Sequence, residues 1–209
     1  MKRTFFSLAL LLAVATLTAQ TKMTAREAAV KIADRILAST TYEFKNTKTG
    51  EIYKSVKKLP LDMDVKVACK YNNWHYTNGV TNMALMELGD KLGDKKYEKY
   101  VLKNMNFVFN EGNLDFFRKQ YDEAFKRDGW NAVRKLSWHM IFRGKRLDDN
   151  GPMGASLIEL QLKYPNDSFL GYINETAEHL NYGEPRLVDG TIARIWPHVN
   201  TIWADDAFM

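Results

Sequence analysis

The chain is poor in cysteine and proline and lacks any apolar run long enough to cross a bilayer. It has one cysteine and five prolines among 209 residues, and a single thiol excludes a disulfide-stapled fold. Cys69 follows Val67 and Ala68, which offer no base, so it reads as a small buried apolar residue and not a nucleophile. The one sustained apolar run, Phe5 to Leu17, is too short to span a membrane. Charge of a single sign is also missing. The formal net charge is +5, but Lys54, Lys57, Lys58, Lys66, Lys70, Lys95, Lys96, Lys99 and Lys103 are interleaved with Glu and Asp. That describes a solvated surface instead of a stripe tracking phosphates, so no nucleic-acid partner is expected. A mild positive bias still suits an anionic sugar.

What is present suffices for one folded domain: 45% hydrophobic and 12% aromatic residues can bury a core. Lys2 and Arg3 precede the short apolar run, so residues 1–20 are expected to be a cleaved signal peptide, leaving 21–209 as the mature domain. No cysteine stands just after that run to carry a lipid. The chain is therefore expected to be exported to the periplasm or beyond, with no membrane attachment after cleavage.

Helical periodicity dominates the rest. Thr24 with Glu27 forms a capping box ahead of a helix to Leu37. Residues 40–61 read as an irregular link with one short strand, with Gly50 and Pro60 as breakers. Helices are then expected over 79–88, ending at Gly89; over 94–109; over 115–126, ending at Asp128-Gly129; and over 130–141. After a turn at Arg143-Gly144-Lys145, Pro152 is expected at the first position of a helix capped by Gly151 or Asn150, and Pro165 at the start of another reaching about Leu180. Residues 181–200 form a loop long enough to suggest binding. Short connections between helices point to an all-α fold of helical hairpins, an α/α toroid or a solenoid.

Three clusters could carry chemistry. Trp74-His75-Tyr76-Thr77-Asn78-Gly79 places aromatic and polar groups at a helix entrance, either to bind sugar hydroxyls and ring faces or as buried packing. Asp148 and Asp149 stand beside a helix N-terminus, either as base or as caps. In the tail, Asp205 and Asp206 lie about 100° apart on a helix; the neighbours Trp203, Ala204 and Phe208 would desolvate one of them, which suits a proton donor.

Taken in order, Trp74-x-Tyr76-x-x-Gly79, the Leu147-Asp148-Asp149-x-Gly151-x-Met153-Gly154 turn, Asp189-Gly190-Thr191-Ile192-Ala193-Arg194 and Trp203-Ala204-Asp205-Asp206-Ala207-Phe208-Met209 resemble the unsaturated rhamnogalacturonyl hydrolases. These make up glycoside hydrolase family 105, close to the family 88 unsaturated glucuronyl hydrolases. The resemblance implies a six-hairpin (α/α)6 toroid acting on oligosaccharides that end in a 4,5-unsaturated uronic acid. Its chemistry is hydration of the vinyl ether double bond, with no metal or organic cofactor. It implies Asp205 as proton donor and Asp149 as second carboxylate, with Asp148 as the fallback. It also implies Trp203 flanking the unsaturated ring, with Arg194 and His198 binding the uronate carboxylate and water. Family members are about twice as long, so this chain is expected to hold the N-terminal part of the barrel. Two rivals remain: a helical-hairpin scaffold binding carbohydrate or protein, and a conventional two-carboxylate glycosidase on a similar toroid.

Overall fold

The computed structural model describes residues 23–144 and 146–203, with the side chain of Glu111 left aside. The expected signal peptide and the tail carboxylates Asp205 and Asp206 lie outside the described residues. The chain divides into two units, residues 1–35 and 36–209. Helix α1, Ala25–Ser39, begins in the first. The Thr24 backbone N–H donates to Glu27 Oε2 at 2.8 Å, while the Glu27 N–H donates to Thr24 Oγ1 at 3.2 Å. This reciprocal pair satisfies two of the donors that a helix start leaves open.

The second unit opens with a three-stranded antiparallel sheet of order β2-β1-β3, with β1 at Phe44–Asn46, β2 at Ile52–Tyr53 and β3 at Val65–Val67. The Lys- and Thr-rich link thus holds more strand than its composition suggests. Its strands are two or three residues long, too short to display alternation. Phe44 is fully buried and anchors the sheet to an aromatic core, with its ring 5.4 Å from Phe107 and 5.7 Å from Phe117. Trp138 completes that cluster, 4.7 Å from Phe117. Its Nε1 donates to the Asn72 carbonyl at 3.0 Å, and burial of such a ring contributes on the order of 2 kcal/mol.

The helices that follow are α2 (Tyr76–Leu92), α3 (Lys96–Val108), α4 (Glu111–Val133), α5 (His139–Arg143), α6 (Leu147–Lys163) and α7 (Asp167–Glu178). With α1 they make seven among the described residues, which establishes the all-α class. Helix α2 runs past Gly89 to Gly93, whose φ of 67° closes it in the left-handed conformation. Gly89 is needed for a different reason: a Cβ there would sit 3.0 Å from the Asp94 carbonyl oxygen. Helix α4 breaks at Asp128 and Gly129 as expected. The helix expected over 130–141 is interrupted, because Trp138 takes a φ of 58° while its N–H donates to Asn73 Oδ1 at 3.1 Å. A bulky residue holds that conformation only when its surroundings fix it.

Helix α6 corrects a further expectation. It begins at Leu147, with Arg146 as N-cap, so Asp148 and Asp149 occupy its first turn and Pro152 lies inside it. Proline there removes the hydrogen bond to the Asp148 carbonyl and crowds that oxygen. The burial of Leu147 and the ties on Asp149 described below hold the extra turn. Likewise α7 starts at Asp167, two residues after Pro165, with Asn166 Oδ1 accepting from the Ser168 N–H at 3.0 Å.

Candidate active site

The site is built on the first turn of α6. Asp149 is wholly buried there. Both its oxygens accept from Arg143: Oδ2 from Nε at 2.6 Å and Oδ1 from Nη2. This fork geometry fixes the guanidinium in a plane. Arg143 in turn lies over the ring of Trp130, 4.8 Å from its centroid. Asp148, one residue earlier on the helix, points elsewhere and is more open. Its side chain is 25% exposed and its Oδ1 lies 3.9 Å from Arg194 Nη2.

Helix α2 sets the position of that turn. Trp74, 1% exposed, donates from Nε1 to the Asp149 carbonyl at 2.8 Å, and its ring meets Tyr172 and Phe109 edge-on at 4.9 and 5.9 Å. In the first turn of α2, Tyr76-Thr77-Asn78 lead to Gly79, which touches the α6 backbone directly: a Cβ there would stand 2.6 Å from the Pro152 carbonyl oxygen. His75 caps α2, its Nδ1 accepting from the Thr77 N–H at 3.3 Å. Burial pushes its pKa below the ordinary value of 6.5, and the nearby carboxylates Asp148 and Asp149 partly offset this.

The opposite wall comes from the segment after α7. The Asp189-Gly190 pair forms a turn: Gly190 has a φ of 89°, and Asp189 Oδ1 accepts from the Thr191 N–H at 3.0 Å, which lowers the carboxyl's pKa. The turn lets Arg186 pair with Ile192, and Arg194 then pairs with Thr201 through an N–H···O bond of 2.8 Å. Trp203 is thereby brought under Arg194, with guanidinium and ring centroid 4.0 Å apart. Arg146 stacks in the same way on Trp196 at 4.9 Å.

Between these walls lies a cavity of about 640 Å³. Trp130, Arg143, Arg146, Leu147, Arg194 and Trp196 line it, together with His179, whose Nε2 lies 3.0 Å from Glu184 Oε1. Such a lining of guanidinium groups and indole faces suits a planar anionic ligand. Among the described residues no three His, Cys, Asp or Glu side chains converge as a metal site. No described helix is long and apolar enough to cross a membrane.

A model of glycosyl hydrolase family 88 matches residues 51–209, about three quarters of the sequence. The chain belongs to glycosyl hydrolase family 88. No curated protein sequence matches it. Membership makes the chain a glycoside hydrolase of the six-hairpin class, with a carbohydrate as its substrate. The family 88 match includes strands β2 and β3, the cavity and both acidic residues of α6, so the cavity is its candidate active site.

Within this family 88 site the structure brings together Asp148, Asp149, Arg194 and Trp203. It separates two others. Trp74, expected to bind sugar, is enclosed by Phe109, Tyr172 and the Asp149 carbonyl and offers no face for stacking, so its part is to hold α6 in place. His198 is exposed on the turn at 197–200 and is not among the described residues lining the cavity; its backbone carbonyl accepts from Thr201 Oγ1 at 2.8 Å. Asp205 lies outside the described residues. Sequence reasoning missed Arg143, Arg146, Trp130 and Trp196. The cluster Arg143-Gly144-Lys145-Arg146 just ahead of two aspartates was the available signal, read only as a turn.

Proposed function

We propose that this family 88 hydrolase removes a terminal 4,5-unsaturated uronic acid from pectin- or rhamnogalacturonan-derived oligosaccharides by hydrating the vinyl ether double bond. The observation that carries the reading is the cavity beside Asp148 and Asp149, where three arginines and two tryptophans supply charge and flat apolar faces together. A uronate needs both, because its carboxylate is met by a guanidinium fork and its flattened ring by an indole.

Asp205 is proposed as the proton donor. A proton delivered to C4 makes C5 electrophilic, water adds there, and the hemiketal so formed opens to release the next sugar. Arg194, held over Trp203 and facing Asp148, is placed to bind the carboxylate that the double bond conjugates with. Asp149 reaches the cavity through Arg143. Its proposed share is to fix that guanidinium, while the more accessible Asp148 receives the water's proton or holds the water.

The test is to incubate the protein with unsaturated disaccharides released by a pectin lyase and follow the ultraviolet absorbance of the double bond. Absorbance should fall as free sugar appears, and a saturated disaccharide should remain intact. Equal cleavage of the saturated sugar contradicts hydration and favours the conventional two-carboxylate mechanism. Sugar binding with no loss of absorbance favours a helical-hairpin binding scaffold.

A further inference from the structure

Helix α4 carries aromatic rings on two faces, and the core explains one. Phe117, Gln120 and Ala124 face inward and are fully or almost fully buried. Arg118, Tyr121, Asp122, Phe125 and Lys126 recur at three- and four-residue spacing on another face. There Phe125 is 53% exposed. Tyr121 and Phe125 stack nearly parallel, with centroids 6.2 Å apart and planes at 8°, and Phe142 closes on Tyr121 at 5.6 Å. These rings line a second recess of about 590 Å³.

That recess shares two wall residues with the main cavity, Trp130 and Arg143. The two hollows therefore adjoin at one indole and one guanidinium. Arg118 lies 4.6 Å over Phe142, and the recess is also lined by Asp122 and by Lys126, whose Nζ pairs with Glu123 at 3.1 Å. Aromatic rings beside the shared Arg143 guanidinium fit the sugar rings of a chain whose charged end lies in the main cavity.

We infer that the Tyr121–Phe125–Phe142 recess is an accessory subsite that holds further sugar units of the same acidic oligosaccharide whose terminal uronate occupies the main cavity. The inference rests on the proposed hydrolase function for the first cavity and adds chain-length selectivity to it. Trp130 and Arg143 then mark where the terminal unit gives way to the rest of the chain.

The test compares unsaturated disaccharide with tetrasaccharide on the full chain, its Phe125→Ala variant and its Phe125→Tyr variant. In the unaltered protein kcat/KM should be roughly tenfold higher for the tetrasaccharide, expressed in KM, the value of one good ring contact. Phe125→Ala should bring the ratio near one and Phe125→Tyr should keep it. A flat ratio in the unaltered protein, or one that Phe125→Ala leaves intact, overturns the subsite even where the disaccharide is hydrolysed. A parallel titration of tryptophan fluorescence with a saturated acidic tetrasaccharide needs no turnover. If no unsaturated sugar is cleaved, the hydrolase reading fails by itself. Phe125-dependent binding in that titration then still supports the recess, and its absence overturns it. Sedimentation that shows Phe125→Ala dissolving a dimer, with sugar binding unchanged, assigns the face to a second copy of the chain and also overturns the proposal.

Discussion

Two indoles separate the halves of the site. Trp74 belongs to the α2–α6 crossing, where nearly every group is buried and the backbones touch at Gly79 and Pro152. Trp203 belongs to the segment after α7, where it is 41% exposed and Trp196 is 61% exposed. The first region uses its polar groups to hold one another, as with Trp74 Nε1 on the Asp149 carbonyl and Arg143 on the Asp149 carboxylate. The second presents Arg194 and Trp196 to the cavity, with Trp203 beneath Arg194. A single site thus divides into a half that fixes geometry and a half free to contact ligand, and substitutions should separate them into stability effects and binding effects.

The harshest break should come from Arg143→Ala, which removes the guanidinium fork from the enclosed Asp149 carboxylate. Losing one partner of such a pair costs about 4 kcal/mol, visible as a lower urea midpoint, and Arg143→Met with Asp149→Leu should recover most of it. Gly79→Ala follows. Its methyl has no room against the Pro152 carbonyl, so α2 and α6 must part, at a cost of about 3 kcal/mol in the same assay. On the other side of the comparison, Arg194→Ala should cost only about 1 kcal/mol of stability, the worth of its contacts to Trp203 and Asp148. It should nonetheless raise KM for the unsaturated disaccharide roughly tenfold, as expected for one lost charge-assisted contact.

The mildest effect is a matter of pH. Burial holds the folded-state pKa of His75 and His139 below 6.5. Below about pH 6.5 the unfolded chain therefore binds more protons than the folded one, and stability falls as pH drops. His75→Asn keeps a capping acceptor without a titrating ring, so its melting temperature should decline less steeply between neutral pH and pH 5 than that of the unaltered protein.

The same division explains what could be read from the sequence. Thr24 with Glu27, the hairpin of α2 and α3, and the break at Asp128-Gly129 were legible because each depends on neighbours within a turn or two. The start of α6 was not, since Pro152 usually marks a first turn and only the distant Trp74 and the nearby Arg143 show that the helix begins earlier. Trp74 itself was ambiguous: an aromatic residue before a helix can face a ligand or the core, and its partners Phe109 and Tyr172 are remote in sequence. Asp148 and Asp149 were found as a pair, but their unequal exposure follows from a helix rotation that residue types do not reveal. Arg194 and Trp203 were identified through resemblance, and the bridge from Arg194 to Thr201 supplies the physical reason that they meet.

Hydration can be separated from ordinary glycoside hydrolysis by running the reaction in deuterium oxide and examining the released uronate by nuclear magnetic resonance. Proton delivery to the double bond predicts one deuterium at C4 of the product. An unlabelled C4 with the double bond still present would show attack at the anomeric carbon and contradict the proposed chemistry.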